Sequence, residues 1–119
     1  MLEFYSIDSD KNEVHYLSVY ERQGNTLIFD DKSTGDTRVE LTIGNEFRIQ
    51  RIGKISMDFI FNLENTTTGK YENELGLSLI FNIKTKHMIY KDDKIFISYD
   101  LYLDGEKISD HLIKIKIIA

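Results

Sequence analysis

Hydrophobic and polar residues alternate along most of this chain with a period of two. That is the mark of strands with one dry and one wet face. Ile55, Met57, Phe59, Phe61 and Leu63 alternate with Ser56, Asp58, Ile60, Asn62 and Glu64. Leu77, Leu79, Phe81 and Ile83 alternate with Ser78, Ile80 and Asn82, and Ile95, Ile97, Tyr99, Leu101 and Leu103 share one face. Val39, Leu41 and Ile43, and then Ile113, Ile115 and Ile117, repeat the pattern. No stretch of ten or more residues carries a helical stripe.

The chain has no Pro, so turns are read from Gly, Asn and Asp. Gly24-Asn25, Gly35-Asp36, Gly44-Asn45 and Asp104-Gly105 supply residues that tolerate positive φ, at close to hairpin rhythm. The spacing predicts strands near 2–8, 13–22, 26–31, 37–43, 46–51, 54–63, 70–74, 76–85, 94–103 and 108–117. Unbroken hairpin order with no long crossover predicts one all-β domain over residues 1–119. The expected architecture is an antiparallel up-and-down barrel of about eight to ten short strands. Closure would also remove the edges that an Ile-rich strand such as 113–118 otherwise offers for aggregation.

Two stretches resemble a known family. Arg51-Ile52-Gly53-Lys54-Ile55-Ser56-Met57-Asp58-Phe59 is similar to the R-x-G-x-x-x-M-x-F segment of YwiB-like bacterial proteins, with Thr68-Gly69, Tyr71 and Gly76 in matching places. Ile97-Ser98-Tyr99-Asp100-Leu101-Tyr102-Leu103-Asp104-Gly105 resembles that family's I-x-Y-x-L-x-x-x-G strand and turn. The likeness runs from Val14 to Ile117. It implies a calycin-like (lipocalin-like) barrel and no activity, because the family is one of unknown function. Calycins as a larger group often hold small apolar ligands, but that is an analogy of fold, and fold does not imply function. The chain has no Trp and therefore lacks the lipocalin G-x-W signature.

Composition narrows the chemistry. The 119 residues suit a single domain, and 41% hydrophobic with 29% charged is ordinary for a globular one. With no Cys, disulfides, thiolate catalysis and Cys-ligated metals are excluded. The first residues do not read as a signal peptide, and no apolar run approaches the roughly 20 residues of a membrane span. The cytoplasm is the expected compartment, and no membrane is expected as partner. A net charge of −5 opposes a phosphate backbone, and the basic residues are scattered apart from Lys84-Thr85-Lys86-His87, so no nucleic acid is expected.

Catalytic and metal chemistry find little support. His15, His87 and His111 follow no ligand spacing and read as surface residues, so no metal and no cofactor are expected. No Ser sits in G-x-S-x-G, and no glycine-rich phosphate loop is present. The paired carboxylates Asp30-Asp31 and Asp92-Asp93 read as solvated turn residues. The chain is not expected to be an enzyme.

Arg51 is the residue of most interest. By parity it shares a face with Phe47, Ile49, Ile55, Met57 and Phe59, which points a guanidinium inward. A buried Arg needs a carboxylate, backbone carbonyls or an anionic ligand. Alternatively, a turn or bulge at Ile52-Gly53 flips it outward, or it bonds carbonyls and plugs one end of the barrel. Two functional readings follow. The first is a barrel that binds an apolar or weakly anionic small molecule, lined by Arg51, Met57, Phe59, Phe61, Phe81 and Tyr99. The second is an interaction or structural module that uses its outer face, with Phe96 and Tyr102 as contact residues beside outward Ile60 and Ile80, in a candidate homodimer. Against the first stands the small size of the barrel, which its own bulky side chains are able to fill.

Overall fold

The computed structural model describes residues 1–35 and 37–118; Asp36, half of the expected Gly35-Asp36 turn, and Ala119 lie outside them. The described residues form eleven strands and no helix: β1 (Leu2–Asp8), β2 (Glu13–Ser18), β3 (Tyr20–Gln23), β4 (Thr26–Asp31), β5 (Thr37–Thr42), β6 (Phe47–Ile52), β7 (Ile55–Phe61), β8 (Thr67–Asn73), β9 (Ser78–Lys91), β10 (Lys94–Leu103) and β11 (Glu106–Ile117). All belong to one antiparallel sheet in the order β2-β1-β11-β10-β9-β8-β7-β6-β5-β4-β3. The meander expected from the turns is present, and β1 beside β11 brings its two ends together, Leu2 opposite Ile117 and Asp8 opposite His111.

The expected strand over 13–22 is two strands, one more than the sequence suggested. The break at Val19 separates β2 from β3, which are the two edges of the sheet. Ser18 makes the corner: its hydroxyl donates to the Val19 carbonyl at 2.8 Å and accepts from the Asp30 amide at 3.4 Å. Side chains complete the closure across this seam. The Tyr16 ring lies 6.5 Å from Phe29, and Phe4 lies 6.2 Å from it. The result is a nearly closed barrel.

Local chemistry sets the turns and irregularities. Asp104 (φ 53°) and Gly105 (φ 84°) form the β10–β11 turn with two residues in the left-handed region, as a two-residue hairpin requires. Asp92 (φ 53°) and Asp93 (φ 60°) do the same between β9 and β10, so this acidic pair is turn chemistry. β9 runs six residues beyond its expected end at 85, to Lys91. Its register with β10 shifts between Ser98 and Tyr99, so that Lys86 is an extra residue and Met88 and Tyr90 take up the inward side. A second shift, between Leu101 and Tyr102, makes Ile108 the extra residue on β11.

The inward faces build one core from all parts of the sheet. Leu2, Leu27, Leu41, Phe61, Ile83, Ile95, Ile97 and Ile115 are fully buried in it. Each such side chain contributes about 1.5–3 kcal/mol relative to an exposed position. Leu63, Leu77 and Ile55, which parity assigned to this face, are exposed at or beyond strand ends. Parity loses its meaning where a strand turns into a loop.

Candidate functional site

The core does not fill the barrel. A cavity of about 360 Å³ lies inside it. Apolar walls come from β1, β6, β7, β9 and β10, through Phe4, Ile49, Met57, Phe59, Phe81 and Leu101 among others. Gly69 shapes the wall. It lies between Phe59 and Phe81 in the register of β7, β8 and β9, and these rings meet edge to face 6.2 Å apart. A Cβ on Gly69 would fall 2.7 Å from Phe59 Cδ1 and 2.9 Å from Ile83 Cδ1, so glycine alone fits there.

Arg51 stands at the rim of the cavity. β6 keeps its alternation to Ile52 and the turn to β7 follows, so Arg51 pairs with Met57 and faces inward with Phe47 and Ile49. The outward-flip alternative does not occur. Its Nη2 donates to the Asp31 carboxylate and, at 3.4 Å, to Thr34 Oγ1, while Nη1 meets the Met57 sulfur at 3.8 Å. The other Asp31 oxygen accepts from the Ser33 amide at 2.9 Å. Asp31 is buried, contrary to the solvated reading of the Asp30-Asp31 pair; only Asp30 is exposed. The same guanidinium also lines an outer groove with Thr34, Gly35, Thr37, Lys54, Ile55 and Glu74. The ion pair therefore divides the interior from the surface at the end of the barrel formed by the β4–β5, β6–β7 and β8–β9 turns.

Tyr16, Tyr99 and His111 also line the cavity, with Ser6. Tyr16 is buried, its ring stacked on Phe4 at 5.0 Å, and its hydroxyl has no hydrogen-bond partner among the described residues. Burial pushes the phenol pKa up; the Asp31 charge adds to this and Arg51 opposes it. Tyr99 is likewise raised by burial, with Arg51 opposing. His111 stacks flat on Tyr99, centroids 4.9 Å apart, with Nε2 2.6 Å from Ser109 Oγ. Burial lowers its pKa, against the pull of the Asp8, Asp110 and Asp100 carboxylates. The reading of all three histidines as surface residues is thus corrected for His111, which faces the interior beside Ile113.

The structure brings Arg51, Met57, Phe59, Phe61, Phe81 and Tyr99 to this one cavity. The sequence reading omitted Asp31, Tyr16 and His111. Their signal was the same parity: Asp31 continues Leu27 and Phe29, Tyr16 follows Val14, and His111 precedes Ile113 and Ile115.

Phe96 and Tyr102 both lie on the outer side of β10, but they do not form one patch. Phe96 borders a groove with Lys94, Lys114 and Lys116. Between the two aromatics lies buried Asp100, reached by Lys86 at 3.0 Å and Lys107 at 3.6 Å, with Asp110 2.6 Å from Lys107. The two bulges bring these lysines to Asp100. Lys86 is thereby drawn out of the expected basic cluster, and Thr85 is buried. Among the described residues no group of His, Cys, Asp or Glu is placed to hold a metal ion, and no helix is long and apolar enough to cross a membrane.

A single antiparallel sheet rolled around an apolar, ion-paired cavity defines an all-β barrel protein. The chain belongs to the DUF1934 family, a domain of unknown function, which it matches over residues 6–115. It is similar to the crystal structure of the ywiB protein from Bacillus subtilis, with a TM-score of 0.66 and 19% identity over 99% of this chain and 90% of that one. At that identity the likeness shows the fold, in agreement with the resemblance carried by the Arg51–Phe59 and Ile97–Gly105 stretches. No curated protein matches the chain.

Proposed function

We propose that the barrel binds a small, mainly apolar molecule in its interior. The observation that carries this reading is the cavity itself. At about 360 Å³ it falls within the roughly 300–1,000 Å³ of small-molecule sites, and apolar and aromatic walls with a few polar groups are what such sites use. The cavity opens at its rim, and an apolar concavity that the fold leaves uncovered is a feature to be explained. The bulky residues that argued for a filled barrel line the space without closing it.

Native mass spectrometry of freshly purified protein, beside a denatured control, tests the proposal. A reproducible extra mass lost on denaturation is the expected result. A folded monomer that carries no added mass, and takes up none when ethylbenzene or acetophenone is supplied, overturns it. A dimer with an empty interior moves the function to the outer face and makes Phe96 and Tyr102 the first residues to mutate.

A further inference from the structure

Two donors on side chains that line the cavity lack acceptors among the described residues. Tyr16 is only 8% exposed, and its hydroxyl is unpartnered among the described residues. Arg51 Nε is also buried and unpartnered, although Nη2 of the same side chain is held by Asp31 and Thr34. Buried polar groups are nearly always hydrogen-bonded, so two orphans on one cavity wall call for an acceptor. The Tyr16 ring is fixed by stacking on Phe4 and by contact with Phe29, which holds the hydroxyl in place.

Charge limits what that acceptor is. Asp31 already balances the guanidinium, and its second oxygen is engaged by Ser33. A ligand carboxylate would bring a second anion beside Asp31 into an apolar space, where uncompensated charge is costly. A neutral carbonyl avoids that cost and uses both donors.

Resting on the ligand-barrel reading, we propose that the occupant carries an uncharged hydrogen-bond acceptor, a ketone, ester or amide carbonyl, on an apolar body. Tyr16 Oη and Arg51 Nε receive this group. The phenol is a donor at neutral pH, as any tyrosine is, and burial reinforces this by raising its pKa.

Three probes of similar size separate the parts of this proposal: acetophenone, ethylbenzene and benzoate, titrated at neutral pH into the full chain by NMR or calorimetry. Acetophenone is expected to bind about tenfold more tightly than ethylbenzene, the worth of one well-made hydrogen bond. Benzoate is expected to bind most weakly. Tyr16→Phe should retain ethylbenzene affinity and lose most of the acetophenone preference. Arg51→Lys, which keeps a cation for Asp31 but removes Nε–H, should reduce the preference independently, and it carries the test if Tyr16→Phe does not fold. Equal affinity for acetophenone and ethylbenzene, or a preference for benzoate, overturns the assignment and leaves the ligand-barrel reading standing. Failure of all three probes to bind the folded protein overturns that reading as well.

Discussion

The two regions of the barrel interior teach different things. In one, Leu2, Leu27, Leu41, Ile83, Ile95, Ile97 and Ile115 are at most 1% exposed and none borders the cavity. In the other, Met57, Phe59, Phe81, Tyr99 and His111 surround open space and share their walls with an ion pair. The first region is built from buried aliphatic residues alone, the second from aliphatic residues, rings and a guanidinium that leave a gap. One sheet thus supplies stability at one place and a chamber at another.

Substitutions that enlarge the interior separate the regions most sharply. Ile97→Ala, in the filled region, should cost about 2–5 kcal/mol in chemical denaturation, because it opens a new void. Met57→Ala should cost less than half as much, since its side chain already borders space. Equal losses would erase the distinction.

Gly69→Ala attacks the boundary between them. The added methyl must displace Phe59 and Ile83, for a loss of about 1–3 kcal/mol. Phe59 lines the cavity, so a ring pushed toward that open space should lower ligand capacity along with stability. A stability loss with undiminished binding would contradict this account of the wall.

Outside both regions, Asp93→Gly should gain up to about 1 kcal/mol, because glycine adopts the left-handed backbone of the β9–β10 turn without strain. Binding should not change. The gain is read from the denaturation midpoint.

The smallest effect is a pH dependence confined to the hollow region. Burial lowers the folded-state pKa of His111 below its ordinary 6.5, so the unfolded chain takes up this proton more readily than the folded one. The contribution of His111 is intact above that value and declines as pH falls below it, until the folded imidazole titrates. Nearby Asp8, Asp110 and Asp100 temper the decline. His111→Phe should flatten the melting temperature between about pH 5 and 7. An unchanged slope would remove His111 as its source.

Much of the fold was legible in alternation and turn residues. The strands over 26–31 and 94–103 coincide with β4 and β10, because turn residues bound them: Gly24-Asn25 before the first, Asp92-Asp93 and Asp104-Gly105 on either side of the second. The break at Val19 was hidden, because closure across the seam is a contact between distant side chains. The length of β9 was hidden by the bulge at Lys86, which inverts parity midway. For the candidate site, parity placed Arg51, Met57, Phe59, Phe61, Phe81 and Tyr99 on inward faces. It would have placed Asp31, at the end of β4, and His111, in the middle of β11, there too, had polar residues not been taken for surface. Whether inward faces leave a void depends on rotamers and on strand stagger around the barrel, which no count along the chain contains.

The central claim is that the hollow region is a binding chamber and the filled region is not. Methyl-resolved NMR during an acetophenone titration tests it most directly. The account predicts saturable shifts at Val39, Ile49, Met57, Leu101 and Ile113, which line the cavity, and small ones at Leu27, Leu41, Ile95 and Ile97. Shifts spread evenly over both sets, or confined to exposed methyls such as Val19 and Ile80, would contradict it.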